Sequence, residues 1–260
     1  MSETKGTRPK IVFITGATSD LGAAFAKRFS AIGSALVLHG RSAPKLESLS
    51  KSLPSVPKHL LIADLTKPEE IEHSIAAIPA AFQDIDLLIN NAGGALGLEK
   101  FHELNLADAD AMIDANVRAL VHISRLVMPS MAARKKGHVI NITSVAANWP
   151  YPGGNVYGAC KAFARHLSHC MRSDLQGTNI RVTSIDPGMV ETEFSLKRFK
   201  GDAAKAAKVY EGAHALTADD IAETVFWTAC LPEHVNVNSL EVMPTRQSWS
   251  AFAIERDRAN

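Results

Sequence analysis

The sequence predicts an α/β protein: one doubly wound, seven-stranded parallel sheet with helices on both faces. Two observations predict it. Short apolar, β-branched runs alternate with longer stretches of helical periodicity along the chain. The first run, Lys10-Ile-Val-Phe-Ile-Thr15, then passes through a glycine-bearing turn, Gly16-Ala-Thr-Ser-Asp-Leu-Gly22, straight into a helical pattern carrying Leu21, Phe25 and Phe29. A continuous apolar run of this kind reads as a strand covered on both sides. A chain of 260 residues is long enough for one large core.

The remaining elements follow in order. Residues 35–38 and 59–62 are short apolar runs, and 87–90 continues the run Asp86-Leu-Leu-Ile89. Residues 138–142 belong to His138-Val-Ile-Asn-Ile-Thr143, and 181–185 and 239–242 complete seven strands. Helices are predicted between and after them at 21–32, 43–53, 68–82, 107–134, 155–176, 203–210 and 218–230. Such βαβ alternation implies right-handed crossovers and a parallel sheet. There is no internal repeat and no linker rich in Gly, Ser or Pro, so 10–260 reads as one domain. The polar residues 1–9 read as a loose tail, and 244–260 as a C-terminal tail. The longest irregular stretch, 190–202, mixes charged and apolar residues and marks a lid over an active site, spanning about 190–212.

Composition removes several function classes. With 28 basic and 27 acidic residues the net charge is +1, which gives no electrostatic footprint for nucleic acid or a membrane surface. No apolar run approaches the roughly 18–20 residues of a membrane span. The N-terminus lacks the apolar core of a signal peptide. Cys160, Cys170 and Cys230 are too few for a disulfide framework and read as free thiols, which fits the cytoplasm. His166 and His169 lie three apart on a helix, but no third ligand accompanies them, so no metal site is predicted.

Two motifs carry chemistry. Tyr157-Gly-Ala-Cys-Lys161 places a phenol and an ammonium four residues apart, on one face of a helix. A cation beside a phenol favours the phenolate, and a tyrosine made acidic this way can exchange a proton with a carbonyl or alcohol oxygen. Strand, glycine turn and helix in succession aim free backbone N–H groups and a positive helix end at a phosphate.

With these motifs the chain resembles the short-chain dehydrogenase/reductase family over residues 10 to about 247. Thr15-Gly16-x-x-x-Asp20-x-Gly22 is similar to the family's cofactor turn and departs from it at Asp20, where glycine is usual. Asn90-Asn91-Ala92-Gly93 matches the family's Asn-Asn-Ala-Gly, and Pro187-Gly188-Met-Val190-Glu-Thr192 matches its Pro-Gly-x-Val-x-Thr. The resemblance implies a Rossmann-type fold and a catalytic set of four. Tyr157 would be the acid/base. Lys161 would hold it acidic and bond the nicotinamide ribose. Ser144 would donate to the substrate oxygen, and Asn116 would anchor a water on a proton path. It also implies a cofactor site made of Gly16, Thr18, Ser19, Asp20, Leu21 and Gly22 in the turn, Arg41 and Ser42, Asp64 and Leu65, Asn91, Ala92 and Gly93, and Tyr157 and Lys161. Pro187, Gly188, Val190 and Thr192 would complete it around the carboxamide.

The second strand runs into His39-Gly40-Arg41-Ser42. Gly40 stands where an NAD enzyme of this fold carries a carboxylate for the ribose hydroxyls. Arg41 and Ser42 can bond a 2′-phosphate. The expected cofactor is therefore NADP(H). Asp20 weighs against phosphate binding unless its carboxylate points away. Asp64 would bond the adenine amino group.

Three further stretches, 149–157, 192–202 and 234–244, resemble the branch of NADP-dependent 3-hydroxy-acid dehydrogenases acting on serine, allo-threonine and malonic semialdehyde. A small hydroxy acid needs a cation for its carboxylate. Arg198 is the first candidate and Arg246, from this chain or a neighbouring subunit, the second. Two other readings stay open: a short-chain reductase of another carbonyl (3-oxoacyl thioester, sugar or neutral ketone), and a non-catalytic NADP-binding protein. The helices 107–134 and 155–176 carry more apolar positions than one sheet face needs, and the resemblance, in which such helices pair across a two-fold axis, implies a C2 or D2 assembly, most simply a homotetramer.

Overall fold

The structure is a computed structural model and describes residues 7–249. The predicted tails 1–9 and 244–260 therefore lie partly outside the described residues. Seven strands form one wholly parallel sheet: β1 (Ile11–Ile14), β2 (Ala35–Gly40), β3 (Lys58–Ile62), β4 (Leu87–Asn90), β5 (Gly137–Ile142), β6 (Ile180–Pro187) and β7 (Ser239–Val242). Their order is β3-β2-β1-β4-β5-β6-β7. The strand order reverses between β1 and β4, which opens a crevice at the C-terminal ends of the strands.

The helices are α1 (Asp20–Ser30), α2 (Ala43–Ser52), α3 (Pro68–Ala76), α4 (Leu106–Ile113), α5 (Ala119–Arg134), α6 (Asn155–Asp174), α7 (Phe194–Arg198), α8 (Ala203–Tyr210) and α9 (Ala218–Ala229). Strand alternation sends successive side chains to opposite faces. Val12 and Ile14 of β1 pack with Phe25 and Phe29 of α1, Leu46 of α2 and Val225 of α9. Phe13, between them, faces Ile71 of α3, Ile123 and Val127 of α5 and Met171 of α6. Both faces of the sheet are thus covered, which is why its strands read as unbroken apolar runs.

Three elements differ from the sequence reading. The helix predicted over 107–134 is interrupted by a π-helical segment, Asp114–Arg118, between α4 and α5. The helix predicted over 68–82 stops at Ala76, and after Pro79 only a short 3₁₀ turn, Ala80–Phe82, follows. The stretch read as irregular, 190–202, contains α7. Among the described residues no helix is long and apolar enough to cross a membrane, and no group of three His, Cys, Asp or Glu side chains could hold a metal ion.

Candidate active site

The glycine turn and the Asn91 motif follow directly on β1 and β4, Ser144 and Gly188 follow closely on β5 and β6, and α6 brings Tyr157 and Lys161 to the same end of the sheet. Gly16 leaves β1 in the left-handed region (φ 63°), a conformation glycine takes without penalty. Ser19 caps α1 by accepting from the Gly22 backbone N–H at 3.1 Å. A Cβ on Gly22 would stand 2.2 Å from the Gly16 carbonyl oxygen, so only glycine fits there. This glycine cradle at a helix N-terminus suits a pyrophosphate. Asp20 does point away: its Oδ2 accepts from the Glu193 backbone N–H at 2.7 Å. It ties the turn to the segment that follows Thr192.

His39 fixes the turn from below. It is buried, its Nδ1 lies 3.1 Å from the Gly16 nitrogen and its Nε2 3.0 Å from the Ala63 carbonyl. Burial pushes its pKa down to about 4, so the ring is neutral and accepts from Gly16 while donating to Ala63. Arg41 is exposed just past β2, and a Cβ at Gly40 would crowd Leu46 and Thr18 at 3.2–3.3 Å. Asp64 loses some solvent, which favours its neutral form. Bonds from Thr66 and the charges of Arg41 and Lys67 outweigh this and hold its carboxyl below the usual range. Arg41 and Asp64 therefore sit together at the ends of β2 and β3.

Past β4, Asn91 donates from Nδ2 to the Thr15 and Gly16 carbonyls and joins the two glycine motifs. Asn116 lies in the π segment and is buried. Its amide donates to the Gly94 and Met112 carbonyls, and its Oδ1 accepts from the Gly94 N–H. A π segment shifts backbone hydrogen bonds out of register, and here it leaves the Met112 carbonyl to a side chain.

On α6, Tyr157 and Lys161 are both buried, with the Lys161 Nζ 5.7 Å from the Tyr157 ring centroid. Lys161 donates to the Ile142 carbonyl at 3.1 Å. Burial lowers its pKa to about 8, against the opposing pull of Cys160 and Asp186. The Tyr157 guanidinium neighbour is Arg198 of α7, 5.6 Å from the ring centroid. One expectation is corrected here. Burial of the phenol works against the acidity expected from Lys161. It raises the phenol's pKa above the ordinary value, and the opposing influences are the Ser144 hydroxyl and Arg198. Desolvation outweighs a single charge in a site this dry.

Tyr157 and Arg198 line a cavity of about 370 Å³, while Lys161 and Asn116 lie behind its wall. Ser144, Tyr157, Arg198, Leu21, Pro187, Gly188, Val190 and Thr192 are all on its wall. Arg246 is not. It is exposed and donates to the Gly212 carbonyl, so within this chain it does not reach the cavity. Its position three residues beyond Met243 places it on the outer side of the segment, while Gln247 turns inward.

The family model described as short chain dehydrogenase matches residues 10–203. The chain belongs to the short chain dehydrogenase family. It is 47% identical to an NADP-dependent 3-hydroxy acid dehydrogenase of Salmonella typhi, over 95% of this chain and 99% of the relative. It is also 47% identical to a sulfoacetaldehyde reductase of Chromohalobacter salexigens, over 95% and 98%. Among solved structures it is similar to the closed form of a serine dehydrogenase complexed with NADP+, with a TM-score of 0.92 and 45% identity over 95% of this chain and all of that one.

Several wall residues of this short chain dehydrogenase escape sequence reasoning. Tyr151, Ser195, Tyr210 and Gln247 line the cavity. The Tyr151 hydroxyl accepts from Arg198 Nη1 at 2.8 Å, Ser195 donates to Tyr210, and Gln247 Oε1 accepts from the Met189 N–H at 2.7 Å. They fall on loops and short helices, where periodicity carries no signal. The stretch 149–157 drew notice only as a whole.

Proposed function

We propose that this protein interconverts a small 3-hydroxy acid, of the serine, allo-threonine or 3-hydroxypropionate type, with the corresponding carbonyl, using NADP(H). The observation that carries the proposal is Arg198: a buried guanidinium on the cavity wall that makes no ion pair among the described residues. A buried cation without a counter-ion is unfavourable unless an anion arrives to meet it. An acid group on the substrate is that anion. The indoles of Trp149 and Trp249, 5.4 Å apart between ring centroids, stand at the wall of the same cavity.

When bound, the reduced nicotinamide supplies a hydride to the carbonyl carbon. The glycine cradle, Arg41 and the 187–192 backbone would hold the cofactor. Tyr157 gives its proton to the carbonyl oxygen. Its raised pKa keeps the phenol protonated at neutral pH, the state that reduction requires. Ser144 donates a hydrogen bond to the same oxygen, and Lys161 as the ammonium binds the ribose and supports the phenolate left behind. Asn116 would hold a water on the path that returns the proton.

A panel of carbonyls with NADPH tests the reading. Malonic semialdehyde should be reduced far better than a neutral aldehyde of equal size or a 3-oxoacyl thioester. A second reading is favoured by the sulfoacetaldehyde reductases among the relatives: an aldehyde with a sulfonate would meet the same guanidinium, and it belongs in the panel.

The cofactor reading has its own test. Arg41→Ala should raise KM for NADPH by on the order of 10- to 100-fold, the equivalent of one charged contact of roughly 1.5–3 kcal/mol, and barely alter KM for NADH. Better turnover of the unsubstituted protein with NADH would refute it. An assembly is supported by apolar side chains left exposed on α5 and α6, Val121 and Phe163. Light scattering should report a C2- or D2-symmetric oligomer, most simply a homotetramer. A monomer mass at all concentrations would contradict this.

A further inference from the structure

Asp186 is the most deeply buried carboxylate in the molecule's described part, 1% exposed, and no step above uses it. It is the penultimate residue of β6, immediately before Pro187-Gly188. Its Oδ1 accepts from the hydroxyls of Thr143 and Ser184, and its Oδ2 accepts from Arg165 Nε at 2.9 Å. Each partner belongs to a different part of the site. Thr143 precedes Ser144. Arg165 lies one helical turn beyond Lys161 on the same face of α6. The Ile142 carbonyl that receives Lys161 is one residue from Thr143. The carboxylate is therefore joined to the two elements that hold Lys161: to the end of β5 through Thr143 and to α6 through Arg165.

We propose that the Asp186–Arg165 pair is a positioning and charge-setting device for Lys161: Asp186 keeps the buried ammonium charged at physiological pH, and Arg165 limits how strongly it does so. The proposal rests on the reading of Lys161 as the ribose-binding ammonium. A buried lysine loses its proton readily. Lys161 stands against the Tyr157 ring and the Ile142 carbonyl, Cys160 and Asp186 are the ionisable neighbours that act on it, and Arg165, one turn further along α6, is held by Asp186; Arg198 of α7 also stands against the Tyr157 ring. Of these, Asp186 is the carboxylate and the partner of the Arg165 guanidinium, while burial raises the pKa of the Tyr157 phenol and of the Cys160 thiol. The Asp186 carboxylate opposes the effect of burial on Lys161.

A role as structural cement predicts that removing either partner does the same kind of damage. The charge-setting role predicts opposite shifts. The working form of Lys161 is the ammonium, present below its pKa and lost as pH rises through it. NADPH affinity, read from the fluorescence of the bound nucleotide, should therefore weaken on the alkaline side, with a limb near the lysine pKa of about 8. Asp186→Asn removes the anion and leaves Arg165 unpaired, so the limb should move down by about one unit. Arg165→Met leaves Asp186 unneutralised, so the limb should move up. The pH profile of kcat/KM should follow the same two directions. Lys161→Met should remove the limb altogether. Shifts of both variants in one direction, or no shift in either, would overturn the proposal. A limb that survives in Lys161→Met would instead overturn the reading of Lys161 on which it rests. If Asp186→Asn fails to fold, Arg165→Met decides by itself, because only charge setting moves its limb upward.

Discussion

Tyr157→Phe should abolish turnover and leave NADPH bound almost as tightly as before. The substitution removes one oxygen and keeps the ring, which packs against Phe194 at 5.6 Å between centroids. The core therefore has no cavity to absorb. What is lost is the proton that the carbonyl oxygen must receive as hydride arrives. Water cannot replace it easily, since the phenol is buried and its pKa is raised by that burial. General acid catalysis by a positioned side chain is typically worth 10²- to 10⁴-fold, and about 10³-fold or more is expected here. Steady-state turnover with the best acid of the panel, beside NADPH titration by fluorescence, checks both halves. Retention of more than a few per cent of kcat would remove Tyr157 from the mechanism. Loss of NADPH binding in proportion would make it a cofactor contact only.

The reason Tyr157 could be picked out from sequence is geometric. Helical spacing brings residues four apart onto one face, and a motif that follows a buried strand lands at the mouth of the sheet. Gly16, Asn91, Ser144 and Gly188 were legible for the same reason: each lies just past a predicted strand, and Gly22 closes the turn that Gly16 opens. The energetic balance inside the site was not legible. Lys161 was expected to acidify the phenol, but sequence gives no measure of desolvation, which here acts more strongly and in the opposite sense. Nor could sequence show the π segment around Asn116, because a single extra residue in a turn leaves the apolar pattern almost unchanged. Arg198 and Arg246 looked alike as charged residues on loops. Only the fold separates them, by burying the first against Gly97, Tyr151 and Gly153 and leaving the second in solvent.

That separation leads to the second large effect. Arg198→Met should reduce kcat/KM for the acid substrate by on the order of 100-fold, while kcat/KM for a neutral carbonyl of similar size changes by no more than about threefold. Arg198 spends three of its five N–H donors inside the protein: Nε on the Gly97 carbonyl, one Nη1 proton on Tyr151, and one Nη2 proton on Gly153. Two donors remain, one on each terminal nitrogen, which is the fork a carboxylate or a sulfonate accepts. Methionine fills a similar volume and supplies neither charge nor donors. An anionic substrate would then be desolvated without a partner, at a cost of about 2–4 kcal/mol in the transition state. The neutral substrate controls for the other consequence of the change, the lost tether between α7 and the Gly97 and Gly153 loops. If both substrates lose activity together, the guanidinium is only a tether. The protein would then be a reductase of neutral carbonyls, and the acid in the proposed reaction would have to be given up.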